Sequence, residues 1–146
     1  MQVTVDYSSM SNNRVEEIRD FAKGAGFKKI GIAHCVMFPQ ETNIVKRYLS
    51  KDFEVHTVDC KYGRIRKDEM LGGTGRRIMC NPAGQAEFLN NHETDLNISL
   101  ALCVGHDMIF SKASEALVTN LFDKDFTNNN DPAQAVADIE KKYDLK

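Results

Sequence analysis

No stretch of this 146-residue chain approaches the roughly 18 consecutive apolar residues that a membrane-spanning helix needs. Membrane helices are therefore excluded from the reading. Met1-Gln2-Val3-Thr4-Val5-Asp6 also lacks the basic-then-apolar order of a signal peptide, so a cytoplasmic location is expected. A basic surface with interleaved aromatics is missing too, and no nucleic-acid recognition motif appears, which argues against a nucleic-acid partner. Neither G-x-G-x-x-G nor G-x-x-x-x-G-K-[ST] occurs to name a nucleotide. There is no C-x-x-C hook, no internal repeat and no low-complexity tract.

What is present describes one domain over residues 1–146, with 42% apolar and 27% charged residues. The net charge of −2 hides an asymmetry. Residues 1–80 carry 14 Lys/Arg against 10 Asp/Glu, and residues 81–146 carry 5 against 11. Most of the positive excess falls in residues 61–77, where Lys61, Arg64, Arg66, Lys67, Arg76 and Arg77 face only Asp68 and Glu69.

Residues 14–25 read as an amphipathic helix, with Val15, Ile18, Phe21 and Ala22 on one face, Asn12 or Asn13 as cap and Gly24/Gly26 as stop. A strand over 29–34 follows, then a helix opened by Pro39 whose Ile44, Val45, Tyr48 and Leu49 share a face, then a strand over 53–59. Residues 61–79 hold four glycines and little apolar periodicity, so an irregular excursion with a short helical turn is expected. A helix from Pro82 to about Asn91 leads to a strand over 96–103. Residues 108–115 fit helix or loop equally, 117–122 fit a strand, and Asp131-Pro132 opens a terminal helix through Lys142. Together these elements predict an α/β three-layer sandwich, Rossmann-like or flavodoxin-like, with a mainly parallel sheet ordered 2-1-3-4.

On that topology Cys35, Cys60 and Cys103 each end a strand, and Cys80 precedes the helix-start signal Asn81-Pro82. All four thiols are thereby placed at one carboxyl edge. Four well-spaced cysteines in a cytoplasmic chain point to thiols, metal ligation or catalysis before structural disulfides. Converging thiolates would suit zinc or an iron–sulfur cluster. His34 and His106 are alternative nitrogen ligands, although His34 and Cys35 would point to opposite faces of a regular strand. Cys80, near a helix N-terminus and following Arg76 and Arg77, sits where an anionic sulfur is attracted. Cys103-Val104-Gly105-His106-Asp107 strings a thiol, an imidazole and a carboxylate after one strand. The plainer reading makes Cys103 a buried small hydrophobe and His106-Asp107 a helix cap. His56 and His92 carry no expected role, and Asp123-Lys124-Asp125 reads as a solvated strand end, with the same carboxyl edge as the alternative.

The motifs Lys29-Ile30-Gly31-Ile32-Ala33-His34-Cys35, Met79-Cys80-Asn81-Pro82, Gln85-Ala86-Glu87, Thr94-Asp95-Leu96-Asn97-Ile98 and Leu102-Cys103-Val104-Gly105-His106-Asp107 resemble a prokaryotic family. It is the domain of unknown function numbered eighteen forty-seven, described as uncharacterised metal-binding proteins. The resemblance covers about residues 14–146 and implies a site drawn from Cys35, Cys60, Cys80, Cys103 and His106, without implying a reaction. Many members carry a further cysteine-rich segment before the first helix, where Met1 to Ser11 here has no cysteine. They also tend to a Gly-His-Asn-Pro turn where this chain has Asn128-Asn129-Asn130-Asp131-Pro132.

Three functions follow. The first is a metal or iron–sulfur site on Cys35, Cys60, Cys80 and Cys103, with His106 nearby and residues 61–77 as a lid. The second is a thiol enzyme or redox protein in which Cys80 or Cys103 attacks, His106 is the base and Asp107 orients it. The third is a module with structural cysteines that binds an anionic small molecule. There Arg76, Arg77 and Asn81 would meet the anion, helped by Gly72-Gly73-Thr74-Gly75 and the Pro82 helix N-terminus.

Overall fold

The computed structural model describes residues 11–145; the N-terminal stretch read for a leader or a cysteine-rich segment lies almost wholly outside them. Helix α1 (Arg14–Gly24) starts at Asn13, whose side chain accepts from Val15 and Glu16 N–H while Glu16 reaches back to the Asn13 N–H, closing a capping box. Strand β1 (Lys29–His34), helix α2 (Pro39–Leu49) and strand β2 (Glu54–Asp59) follow as a β-α-β unit. The chain then leaves the sheet through residues 61–79, which contain a 3₁₀ turn at Tyr62–Arg64 and helix α3 (Lys67–Leu71). It returns through α4 (Pro82–Asn91), β3 (Leu96–Leu100), α5 (Val104–Ala113), β4 (Leu117–Phe122) and α6 (Pro132–Tyr143).

The four strands form a parallel sheet in the order β2-β1-β3-β4, the predicted order. The strand order reverses direction after β2, which with the right-handed crossovers that parallel strands take sets α2 and α4 on opposite faces; α4 packs on α5. Every residue of β3 is buried, as a central strand covered on both faces requires. Ile30, Ile32, Ile98, Leu100, Leu49, Leu89 and Phe110 fill the two inter-layer cores.

Helix α4 comes close to the sheet at Gly31. A Cβ there would lie 2.2 Å from Asn97 Oδ1 and 2.7 Å from a Leu89 methyl. The Asn97 amide is buried and held, accepting from Thr94 Oγ1 (2.8 Å) and donating to Ser114 Oγ (2.7 Å). At the amino edge, Asp95 accepts from the Lys28 and Lys29 backbone N–H groups, both at 2.8 Å, and these bonds hold its carboxyl below the usual range. Asp95→Ala is expected to remove about 2 kcal/mol of stability, the scale of hydrogen bonds to a charged acceptor. Because the folded pKa is depressed, that contribution is present at neutral pH and fades as pH falls through it. Urea unfolding at pH 7 and pH 3 should accordingly show a larger difference between the two proteins at pH 7.

Two expectations change. The strand predicted over 96–103 stops at Leu100, where a bulge shifts the register and the buried Ala101 adopts a left-handed φ of 55°. Cys103 is therefore the N-cap of α5, not a strand end. The ambiguous 108–115 stretch is helix as far as Ala113. Its periodicity was obscure because Met108 and Ile109 face outward and Phe110 alone is buried. Among the described residues no helix is long and apolar enough to cross a membrane.

Candidate functional site: four thiols at the carboxyl edge

Parallel pairing of β1 and β2 sets His34 opposite Asp59, so the next residues, Cys35 and Cys60, leave the sheet side by side. The excursion that departs after Cys60 comes back to it: Asn81 N–H donates to the Cys60 carbonyl at 2.8 Å. Cys80 is thereby laid against Cys60, with the two sulfurs 3.9 Å apart. Lys61 reaches across the same gap, its Nζ donating to the Ile78 carbonyl at 2.8 Å and lying 3.3 Å from Cys80 Sγ. Residues 61–79 thus rise from a base made of two thiols and one ammonium.

A second group stands beside the first. Lys124, just beyond β4, lies 3.6 Å from Cys35 Sγ and also hydrogen-bonds Cys103. Burial alone would lower the Lys124 pKa, but Cys103 and Cys35 more than offset it and the net shift is upward. Cys35 and Cys103 follow β1 and β3, the pair at which the strand order reverses and where ligands bind in open α/β sheets. Cys35 and Cys60 are 6% and 3% exposed, whereas Cys80 and Cys103 are half-buried; all four are free thiols. Burial, followed by the neighbouring thiols Cys80 and Cys35, pushes the Cys60 thiol up to about 12 against an opposing hydrogen bond from the Val36 N–H.

The remaining predicted residues are placed differently. His34 Nδ1 bonds the Cys35 carbonyl, and His106 on α5 makes no hydrogen bond to Cys103 or Asp107 among the described residues. Asp107 instead shares Asn120 Nδ2 with Asp123, whose pKa is raised by burial and by Asp107. Asn81 uses its side chain at home, accepting from Gly84 N–H and donating to the Tyr62 carbonyl. Arg76 and Arg77 are exposed on the excursion. His56 contacts Glu54 and packs against His92, at a distance from the thiols along β2. Among the described residues no three His, Cys, Asp or Glu side chains converge as a ready metal site.

Sequence reasoning misses the role of Lys61, which reads there only as part of a basic loop, and for Lys124 it allows the same carboxyl edge without linking the ammonium to a thiol. Their signal was position: each falls within two residues of a strand's carboxyl end, on the edge already assigned to the thiols. It also missed Gln85, fully buried on α4, which donates to the His34 and Val58 carbonyls and leaves its Oε1 unpartnered.

Comparison with known proteins adds kinship without a reaction. The profile of the family described as "Protein of unknown function (DUF1847)" matches residues 2–121. The uncharacterized protein MJ0455 of Methanocaldococcus jannaschii is 44% identical over 141 residues, covering 94% of this chain and 72% of that protein. No solved structure matches the chain.

Proposed function

The chain belongs to the DUF1847 family of proteins of unknown function, and from its sheet edge we propose that it is a dithiol redox protein in which Cys80 attacks and Cys60 resolves. The observation that carries this reading is the 3.9 Å separation of the two sulfurs, one half-buried beside an ammonium and the other enclosed. Closing to a disulfide bond of about 2.05 Å asks the sulfurs to approach by roughly 2 Å. In the first step the Cys80 thiolate, with Lys61 as counter-charge, attacks one sulfur of a substrate disulfide. The substrate S–S bond breaks, and its other half leaves as a thiolate that takes a proton from water. In the second step the Cys60 sulfur attacks Cys80 in the mixed disulfide, the Cys80–substrate S–S bond breaks, and the Cys60 proton passes through water to the departing substrate thiolate, which leaves as a thiol while Cys60–Cys80 remains as a disulfide. Burial holds the Cys60 thiol protonated at neutral pH, so Cys80 is the sulfur that meets the substrate first. Such a pair works in a reducing compartment, in keeping with the cytoplasmic expectation.

Incubating the reduced protein with glutathione disulfide and mapping the cysteines by mass spectrometry tests the reading. One internal Cys60–Cys80 disulfide, reversed by dithiothreitol, is expected, and Cys60→Ser should trap glutathione on Cys80. Glutathione appearing first on Cys103, or uniformly slow modification of all four thiols, would sink it.

A second reading retains the metal. The 3.9 Å sulfur separation is near the roughly 3.8 Å edge of a tetrahedron with metal–sulfur bonds of about 2.3 Å, and the electrostatic coupling of Cys60 to Cys35 links the two thiol groups. The fit is partial: the Cys60–Cys80 pair stands at ligand spacing, and among the described residues no group of three His, Cys, Asp or Glu forms a metal site. Zinc or an iron–sulfur cluster would supply Lewis-acid or electron-transfer chemistry on Cys35, Cys60, Cys80 and Cys103. The readings part at Cys103→Ser, which would abolish four-thiolate metal binding in a zinc titration but leave the Cys60–Cys80 disulfide intact.

A further inference from the structure

We infer that residues 61–79 form a docking arm that selects an acidic polypeptide segment whose cysteine is the disulfide partner of Cys80. The inference rests on the dithiol reading and names the substrate class for that site. Within the arm, Met79 N–H donates to the Ile65 carbonyl, Lys67 N–H to the Arg77 carbonyl and Asp68 N–H to the Gly75 carbonyl, so its two limbs are paired into a single projection. This projection stands on Cys60 and Cys80. Its α3 helix shows solvent two large apolar side chains, Met70 and Leu71, 63% and 65% exposed, and buries none. At the base, Val36 donates its N–H to Cys60, and the neighbouring Met37 is 62% exposed. Exposed apolar side chains on an arm that springs from the thiol pair bury nothing in the isolated chain, but they suit a polypeptide laid along the arm to the site.

Charge decides the kind of polypeptide. The arm carries six Lys/Arg against two Asp/Glu. Arg64 pairs with Asp59, and Arg66 is held by Asp68 and Glu69. Lys67, Arg76 and Arg77 make no ion pair among the described residues and face solvent. Three unneutralised cations beside exposed Met70 and Leu71 match a segment that mixes acidic and apolar residues. A nucleic acid would satisfy the cations and leave both apolar side chains unused.

The test uses the full chain carrying Cys103→Ser, so that Cys80 is its one partly exposed thiol. Two synthetic peptides, each with a single cysteine activated as a mixed disulfide with thionitrobenzoate, differ only in having Asp/Glu or Lys around a leucine. The chromophore released on exchange reports the rate. The acidic peptide is expected to react at least about tenfold faster at low ionic strength, with the advantage shrinking on added salt. Arg76→Glu combined with Arg77→Glu should erase that advantage. Met70→Ser combined with Leu71→Ser should slow the acidic peptide several-fold while leaving the rate with small uncharged dithiodipyridine unchanged. Equal rates for the two peptides, or a Met70/Leu71 effect that extends equally to dithiodipyridine, would overturn the inference, as would a single-stranded oligonucleotide displacing the acidic peptide more effectively than the peptide itself. If dithiodipyridine left Cys80 untouched, the dithiol reading would fail separately. A fluorescent acidic peptide with serine for cysteine then judges the arm by anisotropy: binding lost on reversing Arg76 and Arg77 supports docking, and no binding overturns it.

Discussion

Gly31→Ala is expected to destabilise the protein by about 3 kcal/mol or more, the upper end of what overpacking a core does. A methyl group at this position has nowhere to go. It would meet Asn97 Oδ1 at 2.2 Å and Leu89 methyls at 2.7 and 2.8 Å. Leu89 is fully buried on α4, and Asn97 is tied to Thr94 on one side and Ser114 on the other. Moving Asn97 aside would break buried hydrogen bonds, each worth about 1–3 kcal/mol when a partner is left unsatisfied. Lifting α4 instead would open the layer that delivers Asn81 N–H to Cys60, so the sulfur pair should loosen along with the fold. Gly105→Ala is the matched control, because that helical glycine has open space around it and alanine there should be neutral or mildly stabilising. Urea unfolding of both variants, with Cys60–Cys80 disulfide formation as a second readout, checks the expectation. Equal midpoints for Gly31→Ala and wild type would refute it.

Alkaline pH is expected to weaken wild type far more than a Cys60→Ala variant. An unfolded cysteine ionises near 8.5, and burial with its thiol neighbours carries Cys60 up to about 12. The folded pKa lies above the unfolded one, so Cys60 contributes its full share below about pH 8.5, where both states hold the proton. Between the two values the unfolded chain releases a proton that the folded chain keeps. Stability then falls by about 1.4 kcal/mol per pH unit from this group alone, on the order of 4 kcal/mol by pH 12. Lysines and tyrosines titrate in the same window in both proteins, and the difference between wild type and Cys60→Ala removes them. Unfolding under reducing conditions from pH 8 to pH 11 should show wild type losing its advantage steadily, and parallel curves would refute the assigned ionisation.

The β-α-β spacing was enough to read a parallel sheet ordered 2-1-3-4, because helix caps, prolines and apolar runs punctuate the first half of the chain clearly. It was not enough to end β3. A left-handed turn is announced by glycine or asparagine, and here it is made at an alanine, Ala101, held by its N–H bond to the Phe122 carbonyl. For the site, the carboxyl edge was legible from where each cysteine stands relative to a strand or a helix start. The pairing of Cys60 with Cys80 was not. It depends on a 19-residue detour closing on itself through Asn81 N–H and Lys61, a tertiary event with no periodic trace in the residues. His106 and Asp107 are conspicuous as neighbours in sequence, yet both lie in the first turn of α5, where Asp107 accepts from Asn120 and His106 makes no hydrogen bond to Cys103 or Asp107 among the described residues.

That detour leaves and re-enters the sheet edge at adjacent points, and this bears on how the protein's relatives can diverge. An insertion whose two ends already touch adds little strain to its host, and doubling the length of a flexible loop costs only about 0.6 kcal/mol. The cassette between Cys60 and Cys80 can therefore be lengthened, shortened or recomposed while β2, α4 and the sulfurs keep their places. Relatives that hold the two cysteines and vary everything between them would share one chemistry and differ in what they admit to it.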